Sequence, residues 1–375
     1  MQYQLEKETI IGKILKLNWP LIFLIFLLSV IGLAMLYSAA GGNYKIWMLR
    51  QFIYFAVFFP VMIVIAITDV NFWFRHSYKF YFLGISLLLF VYFKGHYAMG
   101  ATRWFKLGFI NVQPSEIMKV FLVLSLAKYF HNIEAEEIQK IKYVAPSLFL
   151  IFLPAGLIFV QPDLGTSLIL LFVGFVILFV AGVMMWKFVL TGVIFLISMP
   201  ILWFFFLHEY QRNRIKNFIN PDSDPMGTGY NIIQSKIAVG SGGLLGKGFV
   251  NGTQSQLGFL PEKQTDFIFT ILSEEFGFIG SVSILILCIL IVFTSILMAT
   301  RSLNQYSRLV IVGISSIFFF HSFINIGMTI GLLPVVGAPL PFMSYGGTIT
   351  ATMLIGFGFV LNVGLYNNSE LRNKA

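Results

Sequence analysis

Ten stretches of the chain are apolar over lengths near the ~20 residues that a helix needs to cross a bilayer: 18–37, 46–68, 78–93, 114–130, 145–160, 165–181, 188–207, 276–300, 308–332 and 347–365. No other feature limits the fold so strongly. A backbone inside hydrocarbon must satisfy its own hydrogen bonds, which a helix does within one segment. The chain is therefore expected to be an all-α polytopic membrane protein of about ten transmembrane helices, one bundle domain over residues 1–375. A large extracytoplasmic loop, 209–265, is expected between the seventh and eighth helices. With 58% hydrophobic and 11% charged residues, against the ~25% charged of ordinary chains, a soluble domain is excluded.

Short cytoplasmic loops carry the Lys/Arg excess of membrane proteins. Placing both termini in the cytoplasm puts thirteen basic residues inside and five, among them Arg50 and Arg103, in short external loops. The 209–265 loop holds six more and faces outward, since long loops translocate largely regardless of charge. A net charge of +9, spread over loops without a basic block, reflects this bias rather than nucleic-acid binding. The first run follows Lys7, Lys13 and Lys16 and ends near Ser38-Ala39-Ala40. It exceeds the ~7–15 residues of a cleavable h-region, and is read as an uncleaved helix. The one cysteine, Cys288, allows neither an internal disulfide nor a cysteine metal cluster.

Several segments suit the outer face. Residues 95–113, GHYAMGATRWFKLGFINVQ, are too polar to span yet aromatic, and are expected along the interface. Pro114 then opens the fourth helix, where Glu116 and Lys119 stand i, i+3 on one face. They form either an ion pair that holds helices together or part of a site. Asp163, in QPDLGT, is a candidate both for a helix N-cap and for the site. NIIQSKIAVG has the spacing of a short interfacial helix. SGGLLGKG fails the phosphate-loop pattern, with Ser241 at its first glycine and Gly248 at its Ser/Thr position, and its glycines are read as turns. Residues 331–348, GLLPVVGAPLPFMSYGGT, carry three prolines among apolar residues, which implies a re-entrant segment lining a cavity.

Glu116, Asp163, Asp266, Glu274 and Glu275 lie at the membrane or its outer edge, with no Ser-His-Asp arrangement and no H-E-x-x-H. Asp266 begins FIFTIL, where its carboxylate either caps the eighth helix or stands near cations as a general base. A carboxylate that takes a proton from an attacking hydroxyl is worth about 10²–10⁴-fold, and Arg and Lys stabilise charge on a departing phosphate. A site at the interface implies a lipid-linked substrate.

GATRWFKLG, QPSEIMK, QPDLGT, YQRNRI, DPMGTGYNIIQSKIAVGSGGLLGKG, GTQSQLGFLPEKQTDFIFTILSEEFGFIG and LPVVGAPLPFMSYGG occur in order between about 98 and 360. On these stretches the chain resembles the SEDS family (shape, elongation, division and sporulation), and Pro334-Val335-Val336-Gly337 resembles its elongation branch rather than its division branch. The resemblance implies ten helices and an inverting peptidoglycan glycosyltransferase that polymerises lipid II. Asp266 would deprotonate the acceptor 4-hydroxyl, which attacks C1 of the chain-end sugar and expels undecaprenyl pyrophosphate. It further implies that Glu116 and Lys119 are the family's cavity pair, and that Arg103, Trp104, Arg214 and Lys263 contact pyrophosphate or sugars. A divalent cation (Mg²⁺ or Mn²⁺) and a class B penicillin-binding protein as transpeptidase partner are implied as well. A lipid II flippase and a non-catalytic scaffold are the competing readings. The gathering of acids and cations on one side favours the enzyme, because a transporter needs a site reachable from both sides.

Overall fold

The computed structural model describes residues 9–98, 101–107, 110–134, 136–207, 209–224, 227–260 and 262–366. Helix α1 (Ile10–Leu15) leads into α2 (Trp19–Ala39), α3 (Met48–Ile67) and α4 (Val70–Lys94). Strands β1 (His96–Ala98), β2 (Ala101–Leu107) and β3 (Ile110–Val112) follow. Next come α5 (Pro114–His131), α6 (Ile141–Val160), α7 (Leu164–Ala181) and α8 (Met185–Ile201). The 209–265 loop holds α9 (Glu209–Ile219), α10 (Thr228–Ser241) and α11 (Thr253–Gln256). The chain closes with α12 (Ile268–Thr300), α13 (Gln305–Thr329) and α14 (Gly347–Leu365).

Among the described residues nine helices are long and apolar enough to cross a membrane, and the chain is a multi-pass membrane protein. The tenth expected span, α5, carries Glu116, Lys119 and Lys128 and is not one of the nine. It is nonetheless the most enclosed element, packed against α4, α6, α7, α13 and α14. Charge at that depth is tolerated because α5 meets protein on every side rather than lipid. By contrast α8 has no buried residue, as suits a helix that faces acyl chains all round.

Lipid tails are as apolar as leucine, so helices in a bilayer are held together by close packing and polar contacts worth about 0.6 kcal/mol each, up to ~1.7. The α3–α14 pair shows both kinds of polar tie. Gln51 Nε2 donates to Thr350 Oγ1 at 2.7 Å, and Asn362 Nδ2 donates to the carbonyls of Ile65 and Ala66 at 3.0 and 3.1 Å. Helix starts follow their capping residues: Asn18, Asp69, Asp163 and Asn304 each accept a main-chain N–H of the helix they open.

Three expectations are refined. The stretch expected along the interface carries a small antiparallel sheet in the order β1-β2-β3. The α10 segment is a helix with one face on protein. It packs on α12, and Ser235 Oγ, 2.7 Å from Thr270 Oγ1, donates to the carbonyl of Thr329 at 2.6 Å. The eighth span starts at Ile268, eight residues before its apolar run, and is broken at Gly277, where φ is +65° and ψ is −156°. The glycine-rich loop docks into this break. Gly248 N donates to the Glu275 carbonyl, and Phe278 N to the Gly243 carbonyl. Those glycines therefore serve close backbone approach as well as turning.

Candidate active site

The turn before α12 places Asp266. Thr265 N and Asp266 N both donate to the carbonyl of Glu262 at 3.1 Å, and Glu262 itself has a φ of +53°, a left-handed conformation costing about 1–2 kcal/mol for a non-glycine residue. The irregular segment 331–346 buttresses the turn. Tyr345 N donates to the Gln264 carbonyl at 2.8 Å and Ser344 Oγ to the Thr265 carbonyl at 2.5 Å. Asn325 Nδ2, on α13, donates both to the Asp266 carbonyl at 2.9 Å and to the Ala338 carbonyl at 2.7 Å. The N-cap of α12 is Phe267, with no side-chain hydrogen bond. The capping role considered for Asp266 is therefore not the one it plays.

Its carboxyl instead lines a cavity of about 280 Å³, whose walls include Trp104, Glu116, Asp163, Arg214 and His321. The 331–346 segment supplies another wall, as its prolines implied. Gly337, at φ +76°, passes so close that a Cβ there would lie 3.5 Å from Asp266 Oδ2. Burial pushes the Asp266 carboxyl up from 3.8 to about 6, the negative charge of Glu262 adding to the rise and Arg214 opposing it. A carboxylate of that basicity is mostly ionised at neutral pH yet a stronger proton acceptor than an ordinary aspartate.

The other expected residues divide. Asp163 accepts Thr166 N at 3.3 Å as the cap of α7, and on the cavity wall it accepts Gln113 Nε2 at 3.0 Å. Glu116 Oε1 accepts Lys119 Nζ at 2.8 Å, while Glu116 Oε2 has no hydrogen-bond partner among the described residues. Lys119 does not contact the cavity. It is 0% exposed and lies behind Glu116 and His321, because the i, i+3 spacing that pairs it with Glu116 places it one turn deeper on α5. Lys263 shares the Asp266 turn but is not on the cavity wall, and its burial pulls its pKa down. Arg103 stands on β2, but its side chain lies outside the described residues.

Glu274 and Glu275 belong to a separate structural cluster. Glu274 Oε1 accepts Lys247 Nζ at 2.7 Å and Gln254 N at 2.9 Å, and Ser38 Oγ donates to Glu275 Oε1. They fasten the outer loop and α2 to the top of α12. Sequence reasoning missed Gln113, Glu262 and His321 on the cavity wall. For His321 a signal existed: an ionisable ring inside the apolar 308–332 run is a functional candidate by default.

No group of three or more His, Cys, Asp and Glu side chains capable of holding a metal ion occurs among the described residues. The described side chains at the cavity do not form a protein-held metal centre.

A family model described as a cell cycle protein, covering FtsW, RodA and SpoVE, matches residues 18–369. Peptidoglycan glycosyltransferase MrdB of Escherichia coli K12 is 40% identical over 345 residues, 92% of either chain. Stage V sporulation protein E of Bacillus subtilis is 36% identical over 358 residues, 92% of this chain and 96% of that one. Among solved structures, a chain of a peptidoglycan synthase complex that coordinates polymerization and crosslinking has a TM-score of 0.81 at 31% identity, covering 95% of this chain and all of that one. The rod shape determining protein RodA of Thermus thermophilus has a TM-score of 0.72 at 27% identity, covering 95% and 99%. With the match running through every helix from α2 to α14, this chain belongs to the FtsW/RodA/SpoVE family.

Proposed function

We propose that the chain is a peptidoglycan glycosyltransferase of the elongation type, polymerising lipid II at the cavity with Asp266 as general base. The observation that carries the assignment is the Asp266 carboxyl: held by its main chain from two sides, raised to about 6, and turned toward a cavity that Arg214 also lines. A cavity of about 280 Å³ is near the lower end of the ~300–1,000 Å³ of small-molecule sites. It suits the reacting sugars, with the lipid chains remaining in the bilayer.

In the reaction the acceptor's 4-hydroxyl gives its proton to the Asp266 carboxylate as its oxygen bonds to C1 of the chain-end sugar. The C1–O bond to pyrophosphate breaks on the opposite face, which inverts C1, and the bond's electron pair leaves with undecaprenyl pyrophosphate. Arg214 supplies positive charge at the cavity wall for that leaving group. Glu116 Oε2 and Asp163 offer acceptors to sugar hydroxyls. The divalent cation implied by the family resemblance would supply positive charge to the pyrophosphate, few protein ligands being needed for an ion held by phosphate.

The positive-inside bias supports an outward-facing cavity and cytoplasmic termini. The relative found in a synthase complex that couples polymerization to crosslinking supports a class B penicillin-binding protein as partner. The test is polymerisation of reconstituted lipid II by wild type and Asp266→Asn with the partner and Mg²⁺ or Mn²⁺, beside a partner-only control. Glycan strands from wild type and almost none from a folded, partner-bound variant are expected. Normal polymerisation by the variant would show Asp266 to be replaceable, as the flippase and scaffold readings require.

A further inference from the structure

A third residue, also on the cavity wall, joins the Glu116–Lys119 pair. Lys119 Nζ lies 2.8 Å from Glu116 Oε1 and 2.5 Å from His321 Nε2, and His321 Nε2 lies 3.8 Å from Glu116 Oε2. All three side chains are buried, at 4%, 0% and 1% exposure for Glu116, Lys119 and His321. An ammonium has three N–H groups and no lone pair, so a contact this short is attractive only when Nε2 presents its own lone pair. The imidazole is then neutral and carries its hydrogen on Nδ1.

The ring's other neighbour is the Asp266 support. His321 and Pro339 line the cavity together, and the adjacent Ala338 carbonyl receives Asn325 Nδ2, which also holds the Asp266 carbonyl. His321 and Asn325 are four residues apart on α13, on one face and one turn apart. Side chains on two successive turns of one helix thus stand beside two successive residues of the segment that buttresses the Asp266 turn. One of these side chains is tied to the Asp266 turn, the other to the buried pair on α5.

We infer that His321 is a positioning residue for glycosyl transfer: by accepting a hydrogen bond from Lys119 it fixes the ring beside Pro339, and so registers the Asp266 turn against the Glu116 wall. The inference deepens the reading of Asp266 as general base and rests on it. What the site requires at Nε2 is a hydrogen-bond acceptor rather than a basic ring. A glutamine Oε1 supplies that acceptor, whereas leucine or methionine fills the volume without it.

The test compares wild type, His321→Gln, His321→Leu and His321→Met in the full chain with its partner, by steady-state lipid II polymerisation and by thermal unfolding in detergent. Misplacing a reacting group by an ångström costs up to about 10²-fold, so the leucine variant is expected to lose about tenfold or more in kcat with KM changed less than about threefold. The glutamine variant is expected to stay within about threefold of wild type. Full kcat in the leucine variant, or an equal loss in the glutamine and leucine variants with unfolding temperatures unchanged, overturns the inference. If the leucine variant does not fold, methionine takes its place. If neither folds, glutamine decides alone, and a loss beyond about tenfold overturns the inference. Asp266→Asn separates the two layers: polymerisation by that variant defeats the general-base reading, whereas an inactive Asp266→Asn beside a fully active leucine variant defeats the role of His321 alone.

Discussion

Asp266 holds its carboxyl in an environment that opposes charge, and the consequences have definite signs. Its pKa, raised to about 6, means that the folded protein binds this proton more tightly than the unfolded chain does. The ionised side chain therefore costs stability, a cost absent below pH 3.8 and complete above about 6. Asp266→Asn removes the charge, so it is expected to melt a few degrees higher while losing about 10²–10⁴-fold in kcat, a trade common at active sites. A calorimetric scan beside the polymerisation assay checks both halves. The same pKa predicts that kcat/KM falls as pH drops below about 6, about tenfold per unit. Glu262→Gln removes a charge that raises the pKa, so the acid limb should move to lower pH. Arg214→Gln removes one that lowers it, and the limb should move up. A limb that stays put in both variants would show that the titrating group is not Asp266. The acid itself was legible in the sequence, because a carboxylate at the head of an apolar run stands out. The placement of Lys119 behind the wall was not, because i, i+3 spacing pairs two side chains without saying which one meets a cavity.

At the level of elements, two devices hold the cavity end of the bundle together. One is Asn325, whose single amide donates to two carbonyls from different segments. Asn325→Ala leaves both carbonyls without that donor, at about 1–3 kcal/mol each where no water replaces it. The expected outcome is a lower unfolding temperature together with a kcat loss larger than any change in KM, since the Asp266 turn loses its tie to α13. The other is the docking of the glycine-rich loop into the break of α12, sealed by Lys247 on the fully buried Glu274. Lys247→Met strands that carboxylate. Breaking a fully buried pair costs about 3–5 kcal/mol, and with Lys247 26% exposed the expected loss is nearer ~2 kcal/mol. Denaturant unfolding of the solubilised protein reads it, and Glu274→Gln in the same background should recover part of the loss. The starts of most helices could be read from caps and apolar runs. The break of α12 at Gly277 could not, because it is set by the docking of the 242–248 loop, which leaves no local pattern beyond one glycine.

For the whole molecule, sidedness is the property to test. Cys288 is buried and leaves the chain silent toward a membrane-impermeant maleimide, so single cysteines can be placed at exposed positions on either side. Asn213→Cys, on α9, should label from outside intact spheroplasts, and Lys142→Cys, at the start of α6, only after lysis. The reverse pattern would invert the proposed topology and detach the cavity from an outer-leaflet substrate. By itself the amino-acid sequence determined that the chain crosses a membrane many times, and roughly where, because hydrophobic length is a local property that the bilayer reads directly. It also determined which carboxylates are too costly at that depth to be incidental. Tertiary structure alone decided which of them share a cavity and which are latches. Lys119 meets His321 across 202 residues, and Asn325 meets the Asp266 carbonyl across 59. Contacts at such separations leave no local pattern in the chain, and they form only when the packing of α5, α13 and the 331–346 segment brings those groups together.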